Sequence, residues 1–179
     1  MKRFKKEYLW LGLKYLIIAL FFGVIIRGFI LIPVPVTGNS MSPTLKQSDM
    51  VIMEKFTSVK RFDVVVFEQA DQTTYIKRVI GLPGDQITYQ DDILYVNNQA
   101  VSEPYLQKKN ASKQMPYTTN FTLRELIGED RLPEDQYFVL GDNRRISKDS
   151  RSFGTVKADE IIGKARFVYY PFSDMKIIS

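Results

Sequence analysis

A short stretch rich in hydroxyl groups, residues 38–45, holds the first side chains that could do chemistry. It combines a glycine and a proline with the hydroxyls of Ser40, Ser42 and Thr44, a composition that favours an extended turn. Because the chain contains no histidine and no cysteine, a Ser-His-Asp site, a Cys-His site and an ordinary zinc site are excluded. A hydroxyl nucleophile would need another base, and a neutral lysine amine is the main remaining option. Pairs of carboxylates stay open.

A lysine candidate lies in a second stretch, residues 75–80, where two cations interrupt an apolar run. Alternation along a strand places Lys77 and Arg78 on opposite faces. Arginine stays protonated in proteins, whereas a desolvated lysine can lose its proton near neutral pH. Lowering the pKa of Lys77 from about 10.4 by two or three units costs roughly 3–4 kcal/mol. The alternative is an edge strand whose two charged side chains lie along the protein surface.

A third stretch, residues 141–154, is the densest in polar side chains, with the sequence Gly-Asp-Asn-Arg-Arg-Ile-Ser-Lys-Asp-Ser-Arg-Ser-Phe-Gly. One interpretation is a solvated loop held by local ion pairs. The other is a supporting shell for an active site, in which a hydroxyl orients an amine and Asp/Arg pairs fix the loop.

The charge of the chain is concentrated at its N-terminus. The 179 residues carry a formal charge of +5, and their number allows one ordinary domain with an appendage. Residues 1–36 contain six basic residues and one acidic residue, so the remainder holds 19 of each and is neutral. A nucleic-acid binder keeps a basic face on its folded part. Nucleic acid is therefore not an expected partner.

A long apolar run follows the basic N-terminus. Residues 15–32 are interrupted only by Arg27 and would span roughly 27 Å as a helix, close to the hydrocarbon thickness of about 30 Å. Pro33 and Pro35 predict the end of this helix. The positive-inside rule places the N-terminus in the cytoplasm and the rest outside. The predicted division is a cytoplasmic basic segment at 1–14, a transmembrane helix at 15–32 and an extracytoplasmic domain at 33–179, with an inserted subdomain at approximately 90–135.

Two other interpretations compete with a permanent membrane anchor. A basic start followed by an apolar core also describes a cleavable signal peptide, and Val36 and Gly38 are weak small residues before a cut that would leave Asn39 first. A buried soluble helix fits less well, since a run without a polar face suits a small domain poorly. We favour the anchor.

Beyond the apolar run the pattern becomes mainly β, with β-branched and aromatic residues in short runs. Strands are predicted at 50–53, 62–67, 75–80, 87–89, 93–96, 137–140 and 161–170. The segment 90–92 predicts a hairpin turn, and Asn97 and Asn98 can adopt the positive φ angles of another tight turn. Residues 107–135 are polar and predict an inserted flap or small subdomain. Helix is scarce after residue 36.

Taken together, these stretches resemble the type I signal peptidases of Gram-positive bacteria. The resemblance covers nearly the whole chain and leaves only residues 105–135 unmatched in detail. The matching blocks are the basic N-terminus with one span, then Ser40-Met41-Ser42-Pro43-Thr44-Leu45, residues 60–67, residues 77–85, Gly141-Asp142-Asn143-Arg144 through Ser147, Asp149-Ser150-Arg151, and Phe153-Gly154.

The resemblance implies a role for individual side chains. Ser40 corresponds to the nucleophile, Lys77 to the general base, and Ser147 to the hydroxyl that hydrogen-bonds and orients the lysine amine. The backbone N–H of Ser40 would contribute to the oxyanion hole, with Gly38 nearby. The charged residues thought to brace the site correspond to Asp142, Asp149, Arg78 and Arg151.

The resemblance also implies the architecture and the partners. We expect a mainly β protein with one transmembrane helix, an antiparallel β catalytic core with an inserted smaller β-rich subdomain, and an apolar surface resting on the membrane. The implied activity is a serine endopeptidase of the cell membrane that removes signal peptides from secreted precursors. Its partners would be those signal peptides, the lipid bilayer and, as a further option, the secretion translocon. No cofactor and no metal are expected.

Three features depart from the usual family pattern. Arg145 and Ile146 stand where the family often has Asp and Asn, so the hydrogen bonding of this loop is expected to differ. Gly38 stands where some relatives carry a hydroxyl that completes the oxyanion hole. The glycine that often precedes the residue corresponding to Asp63 is missing.

Two other functions remain as alternatives. A signal-peptidase-like protein that no longer cleaves could help assemble pilus-type surface structures, but it would be expected to lose the serine or the lysine, and Ser40 and Lys77 are both retained. A self-cleaving Ser-Lys repressor would carry a DNA-binding domain and a basic folded part, neither of which the sequence shows.

Overall fold

The N-terminal element is a long helix with exposed apolar side chains. The computed structural model describes residues 2–25, 31–55, 58–106 and 116–178. Helix α1 covers Lys2–Ile25, and its side chains from 8 to 23 are exposed. Within the described residues, no helix is both long enough and apolar enough to cross a membrane.

The bounds of this first helix differ from the predicted 15–32. Helix α1 begins at Lys2, since lysine and glutamate are good helix formers that extend the apolar run toward the N-terminus. The end of the predicted helix is wrong, because Leu31–Pro35 forms strand β1. The segment 26–30 lies outside the described residues. Pro33 and Pro35 belong to β1, which is the outermost strand of its sheet, a position where prolines are tolerated.

The rest of the described chain is antiparallel β-structure with two short helices. The strands after β1 are β2 (Met50–Glu54), β3 (Val64–Glu68), β4 (Thr74–Gly81), β5 (Ile87–Gln90), β6 (Ile93–Val96), β7 (Gln99–Val101), β8 (Phe121–Thr122), β9 (Gln136–Leu140), β10 (Val156–Lys157), β11 (Ile161–Tyr170) and β12 (Lys176–Ile177), and the helices are α2 (Leu123–Ile127) and α3 (Ser150–Phe153). Each predicted strand is present, β6 and β11 with the predicted bounds and the others with slightly shifted ends. Strands β1, β7, β8, β10 and β12 were not predicted.

The first sheet carries most of the chain. Its order is β1-β2-β11-β3-β4-β9-β10, with β12 paired to β11. Strand β11 is the longest, with ten residues, and its register shifts against both β2 and β3. Such irregularities bend a strand and increase its twist, so β11 can pair with both neighbours along its length. The interpretation of β4 as an edge strand is wrong, since β4 pairs with β3 and with β9.

A second, smaller sheet has the order β7-β6-β5-β8 and lies in the chain between β4 and β9. Its two tight turns use positive φ angles, at Asp91 and Asp92 (50° and 62°) and at Asn97 and Asn98 (51° and 65°). These are the conformations that two-residue hairpins require, so both predicted turns are confirmed. The polar segment predicted as a flap falls partly on residues 107–115, which lie outside the described residues.

One hydrophobic cluster joins the two sheets. It contains Ile87, Tyr89 and Leu94 from the second sheet together with Ile80 and Phe138 from the first. Buried apolar surface of this kind is the main source of stability in a domain of this size. The second sheet is therefore packed against the strands that carry residues 77, 78 and 140.

Candidate active site

Ser40 lies in the turn that follows β1, five residues after the strand ends at Pro35. The turn is fixed by buried apolar side chains on both sides of the serine, namely Val36, Met41 and Leu45. Gly38 has a φ of +77°, in the left-handed region that side chains disfavour. A residue with a side chain would be strained at this position. The half-buried Ser40 is held at the surface of a cleft by this anchored turn.

Lys77 lies in β4, opposite Val65 of β3. Its side chain is buried, with 3% of the residue exposed. The Nζ atom is 2.8 Å from Ser40 Oγ and donates a second hydrogen bond of 3.0 Å to the carbonyl of Ile76. Both partners are uncharged. The ring of Tyr75 covers another side of the amine, with its centroid 5.5 Å from Nζ.

The surroundings of Lys77 favour its neutral form. Burial lowers the pKa of Lys77 to about 8, and the negative charges of Asp149 and Asp142 oppose this shift only in part. Removal of water penalises an ammonium, whereas nearby carboxylates stabilise it. The neutral amine of Lys77, which is the form that can accept a proton, is therefore well populated slightly above neutral pH.

Arg78 points to the opposite side of β4 and is fully buried. Its guanidinium donates two parallel hydrogen bonds to Asp142, of 2.9 and 2.8 Å, and a third of 2.8 Å to the carbonyl of Phe62. The ring of Tyr105 stacks 3.9 Å from the guanidinium carbon. This bidentate pair links β4 to the start of the polar loop 141–154.

The polar loop is only partly solvated, since Asp142, Arg144 and Asp149 are buried whereas Arg145 and Lys148 are exposed. Asp149 accepts hydrogen bonds from the Gly141 N–H (3.0 Å) and from Arg151 Nε (2.9 Å), and it caps the N-terminus of α3. Arg151 also donates 2.7 Å to the carbonyl of Arg144. Ser150 Oγ accepts from the Val139 N–H at 2.9 Å. These contacts fix both ends of the loop to β9.

Gly141 lies between Ser147 and Ser40. A Cβ atom at this glycine would be 2.2 Å from Ser147 Oγ and 2.5 Å from the carbonyl oxygen of Ser40, so no other residue fits without displacement. The Asn143 N–H donates 2.9 Å to the same Ser40 carbonyl. Ser147 Oγ is buried and makes no hydrogen bond. The expected hydrogen bond between Ser147 and Lys77 is therefore not formed in this structure.

Several residues that contact the polar loop carry no recognisable signal in the sequence. Glu103 pairs with Arg144, and Tyr117 donates 3.0 Å to the carbonyl of Asp142. Both come from the segment between β4 and β9, at sequence positions without a motif. Arg144 lies in a matching block, but the resemblance gave it no role.

The serine and the lysine open into a cleft of about 550 Å³. One wall is formed by residues 34–41 and the other by residues 73–77. Ile146, which is 64% exposed, and Lys148 complete the lining. Arg145 is also exposed and places its guanidinium 5.7 Å from the ring of Tyr117.

Among the described residues, no group of three or more acidic side chains is placed to share a metal ion.

A serine hydroxyl beside a buried lysine amine, on an antiparallel β-sheet and at the edge of a cleft, is the arrangement expected of a Ser-Lys hydrolase. Residues 9–170 match the protein family described as signal peptidase, peptidase S26. The chain belongs to this family of peptide-bond hydrolases.

Relatives with established names agree with this assignment. The chain is 46% identical over 152 residues to signal peptidase I of Bacillus caldolyticus, covering 82% of this chain and 84% of the relative. It is 41% identical over 161 residues to signal peptidase IB of Staphylococcus aureus, covering 85% and 84%. A crystal structure of a signal peptidase I from Enterococcus faecalis V583 superposes with a TM-score of 0.58 at 43% identity, covering 62% of this chain and 98% of that one.

Proposed function

We propose that the protein is a membrane-anchored serine endopeptidase that removes N-terminal signal peptides from exported precursors, with Ser40 as nucleophile and Lys77 as general base. The observation that carries the proposal is the 2.8 Å separation of Lys77 Nζ and Ser40 Oγ. The pKa of Lys77, lowered by burial to about 8, supports it, because a general base works best when its pKa lies near the operating pH.

The reaction would proceed through an acyl-enzyme. Neutral Lys77 takes the Ser40 proton while Oγ attacks the scissile carbonyl, and the resulting ammonium returns the proton to the departing amine. The Lys77 amine then takes a proton from water, which attacks the ester, and the proton passes to Ser40 as the acid product leaves. The Ser40 N–H would stabilise the oxyanion, in a turn whose shape depends on Gly38.

The remaining site residues would hold this geometry. Asp142 and Asp149 fix the polar loop through their pairs with Arg78 and Arg151. Ser147 is our proposed orienting group for the amine. Its buried hydroxyl lacks a partner, and a group in this state gains free energy from any hydrogen bond that forms as the reaction proceeds.

The substrate would bind as an extended strand in the cleft. Strand β9 pairs with β4 only from Arg78 onward, and residues 73–77 line the cleft opposite residues 34–37. A peptide added beside such strands can use their main-chain groups for affinity and shallow pockets for small side chains. Small residues at the first and third positions before the cut would suit this mode.

The anchor is proposed to be the N-terminal apolar segment, with its basic end in the cytoplasm. The apolar side chains of α1 are exposed from residue 8 to 23, as a lipid-facing helix requires. A cleavable signal peptide fits less well, because a cut after Gly38 would remove β1, which pairs with β2 over five positions. Protease added outside right-side-out vesicles should reach residues 37–179 and spare residues 2–6. The reverse pattern would contradict the topology.

The enzymatic proposal is tested by Ser40→Ala, with Ser42→Ala as the matched control from the same turn. We expect Ser40→Ala to lower cleavage of a precursor peptide by at least about 10³-fold, with an unchanged melting temperature. Ser42→Ala should retain cleavage within a few-fold. Mass spectrometry of the products identifies the bond that is cut. Near-normal turnover by folded Ser40→Ala would assign the nucleophile elsewhere.

A further inference from the structure

A second buried ion pair lies outside the proposed mechanism. Arg144 and Glu103 are in contact with their side chains almost fully buried. Tyr105 donates 2.8 Å to Glu103, and Tyr89 donates to the other carboxylate oxygen. Arg144 donates a further hydrogen bond of 3.2 Å to Thr118. These three partners, Tyr89, Tyr105 and Thr118, belong to the second sheet or to the segments that flank its strands.

The remaining donor of Arg144 points toward the active site. Its Nε donates 3.0 Å to the carbonyl of Gly141, the residue enclosed between Ser147 Oγ and the Ser40 carbonyl. The Asn143 N–H, which bonds the Ser40 carbonyl, lies two residues further on. A displacement of Gly141 would therefore move groups on both sides of the serine.

Glu103 is the charged group in direct contact with Arg144, and its loss cannot be relieved by proton transfer. An arginine stays protonated in proteins, so without Glu103 the guanidinium is a buried cation with no carboxylate in contact. The charge of Asp142 also favours the Arg144 cation, but Asp142 is already paired with Arg78. To lower the free-energy cost of this buried charge, the Arg144 side chain must move toward water or water must enter the site. Either change weakens the hydrogen bond to Gly141.

We propose that Glu103 is a positioning residue of the active site, acting through Arg144 and Gly141 on the alignment of Ser40, Ser147 and Lys77. The inference rests on the proposed Ser-Lys function of the site. On this proposal the second sheet helps to hold the catalytic groups in place. It does so through Glu103, which touches neither the substrate nor the reacting atoms.

The test compares Glu103→Gln with Asp130→Asn in the full-length chain. Asp130 pairs with Arg124 at an exposed position of the same inserted region and does not form part of the Arg144 cluster, so it controls for the loss of an ion pair. We expect Glu103→Gln to lower kcat for a precursor peptide at least tenfold while KM stays within about twofold, because the cleft walls at residues 34–37 and 73–76 lie outside the Arg144 cluster. Asp130→Asn should match the unmodified protein.

The pH profile separates positioning from a merely structural role. Burial holds the pKa of Lys77 low, so a loosened loop that admits water should move the acidic limb of kcat/KM to higher pH. Competitive acetylation of Lys77 against pH, followed by mass spectrometry, should show the same upward shift without relying on catalysis. A less stable Glu103→Gln protein with unchanged kcat and unchanged pH profile would overturn the proposal.

Two further measurements keep the outcomes distinct. If Glu103→Gln does not fold, Thr118→Val takes its place, because it removes one hydrogen-bond acceptor of Arg144 and leaves the ion pair intact. Thr118→Val should change kcat and the pH profile in the same direction as expected for Glu103→Gln, by a smaller amount. Its failure to do so would reject the positioning role. Ser40→Ala is measured in parallel. Full activity there contradicts the proposed function, whereas an inactive Ser40→Ala beside an unaffected Glu103→Gln contradicts only the positioning role.

Discussion

Two lysine side chains are buried in the first sheet, on opposite sides of β3, and they have different surroundings. Lys77 of β4 and Lys164 of β11 both pair with Val65, and they are 3% and 4% exposed. Lys164 Nζ contacts Asp63 at 3.0 Å and the carbonyl of Ser58 at 3.0 Å. Lys77 Nζ contacts a hydroxyl and a carbonyl, neither of which is charged.

The comparison shows that burial alone does not make a lysine a base. A carboxylate in contact compensates the charge of a buried ammonium, so Lys164 can serve as a structural cation between β11 and the segment before β3. Lys77 lacks that compensation at close range, and burial lowers its pKa to about 8. Folding therefore places the ammonium form of Lys77 in an unfavourable site, a cost that proteins accept at functional positions.

The largest expected effect comes from removing the proton acceptor. Lys77→Arg keeps the positive charge but cannot accept a proton near neutral pH, so we expect it to be as inactive as Lys77→Ala, with a loss of at least about 10³-fold in kcat/KM. Lys164→Arg should remain active within a few-fold, since an arginine can still pair with Asp63. Peptide cleavage assays on folded protein measure all three. An active Lys77→Arg enzyme would end the Ser-Lys proposal.

The two lysines should also differ in the sign of their effect on stability. The pKa of Lys77 is lower in the folded state than the ordinary 10.5, so the folded state is penalised at pH values below about 8 and the penalty disappears as the pH rises from 8 to 10.5. At pH 7, Lys77→Met should raise the free energy of unfolding by up to about 3 kcal/mol.

Lys164→Met should do the opposite, lowering the free energy of unfolding by about 1–3 kcal/mol because Asp63 loses its partner. Urea denaturation of both variants at pH 7 measures the two effects. If Lys77→Met and Lys164→Met lowered the free energy of unfolding by the same amount, the two lysines would be equivalent structural cations.

The pH dependence of catalysis should follow the Lys77 amine. Below a pKa of about 8 the protonated fraction grows, so kcat/KM should fall about tenfold for each pH unit and be about fiftyfold lower at pH 6 than at pH 8. Lys164→Arg should leave this limb in place. An acidic limb near pH 4 would instead indicate a carboxylate base, the alternative that the composition left open.

Local pattern predicted most of the strands, and composition together with the family resemblance indicated the proposed pair of Ser40 and Lys77. Alternation and turn residues define β2 to β6, β9 and β11, because each of these signals lies within a few residues. The absence of histidine and cysteine left few bases for Ser40, and the family resemblance selected Lys77. The separation of 37 residues between the two side chains is closed by the sheet, which no local pattern describes.

The contacts that the sequence did not predict are long-range or ambiguous. Glu103 meets Arg144 across 41 residues, and a single buried glutamate has no periodic signature. The prolines of β1 indicate a helix end equally well as an edge strand. The hydrogen bond expected at Ser147 came from resemblance alone, and hydroxyl contacts depend on rotamers that the sequence does not set.

The smallest expected effect concerns Asp149, whose charge is the leading influence that raises the pKa of Lys77 against desolvation. Asp149→Asn removes this charge but keeps an oxygen that can accept from the Gly141 N–H. The ammonium form of Lys77 then loses stabilisation, so the acidic limb of kcat/KM should move to lower pH, by less than about one unit. Asp85→Asn is the matched control, because Asp85 is also a buried carboxylate paired with an arginine. A shift of the acidic limb to higher pH in Asp149→Asn would mean that Asp149 acts chiefly by keeping water away from Lys77. The negative charge of Asp149 would then affect the pKa of Lys77 less than the comparison with Lys164 implies.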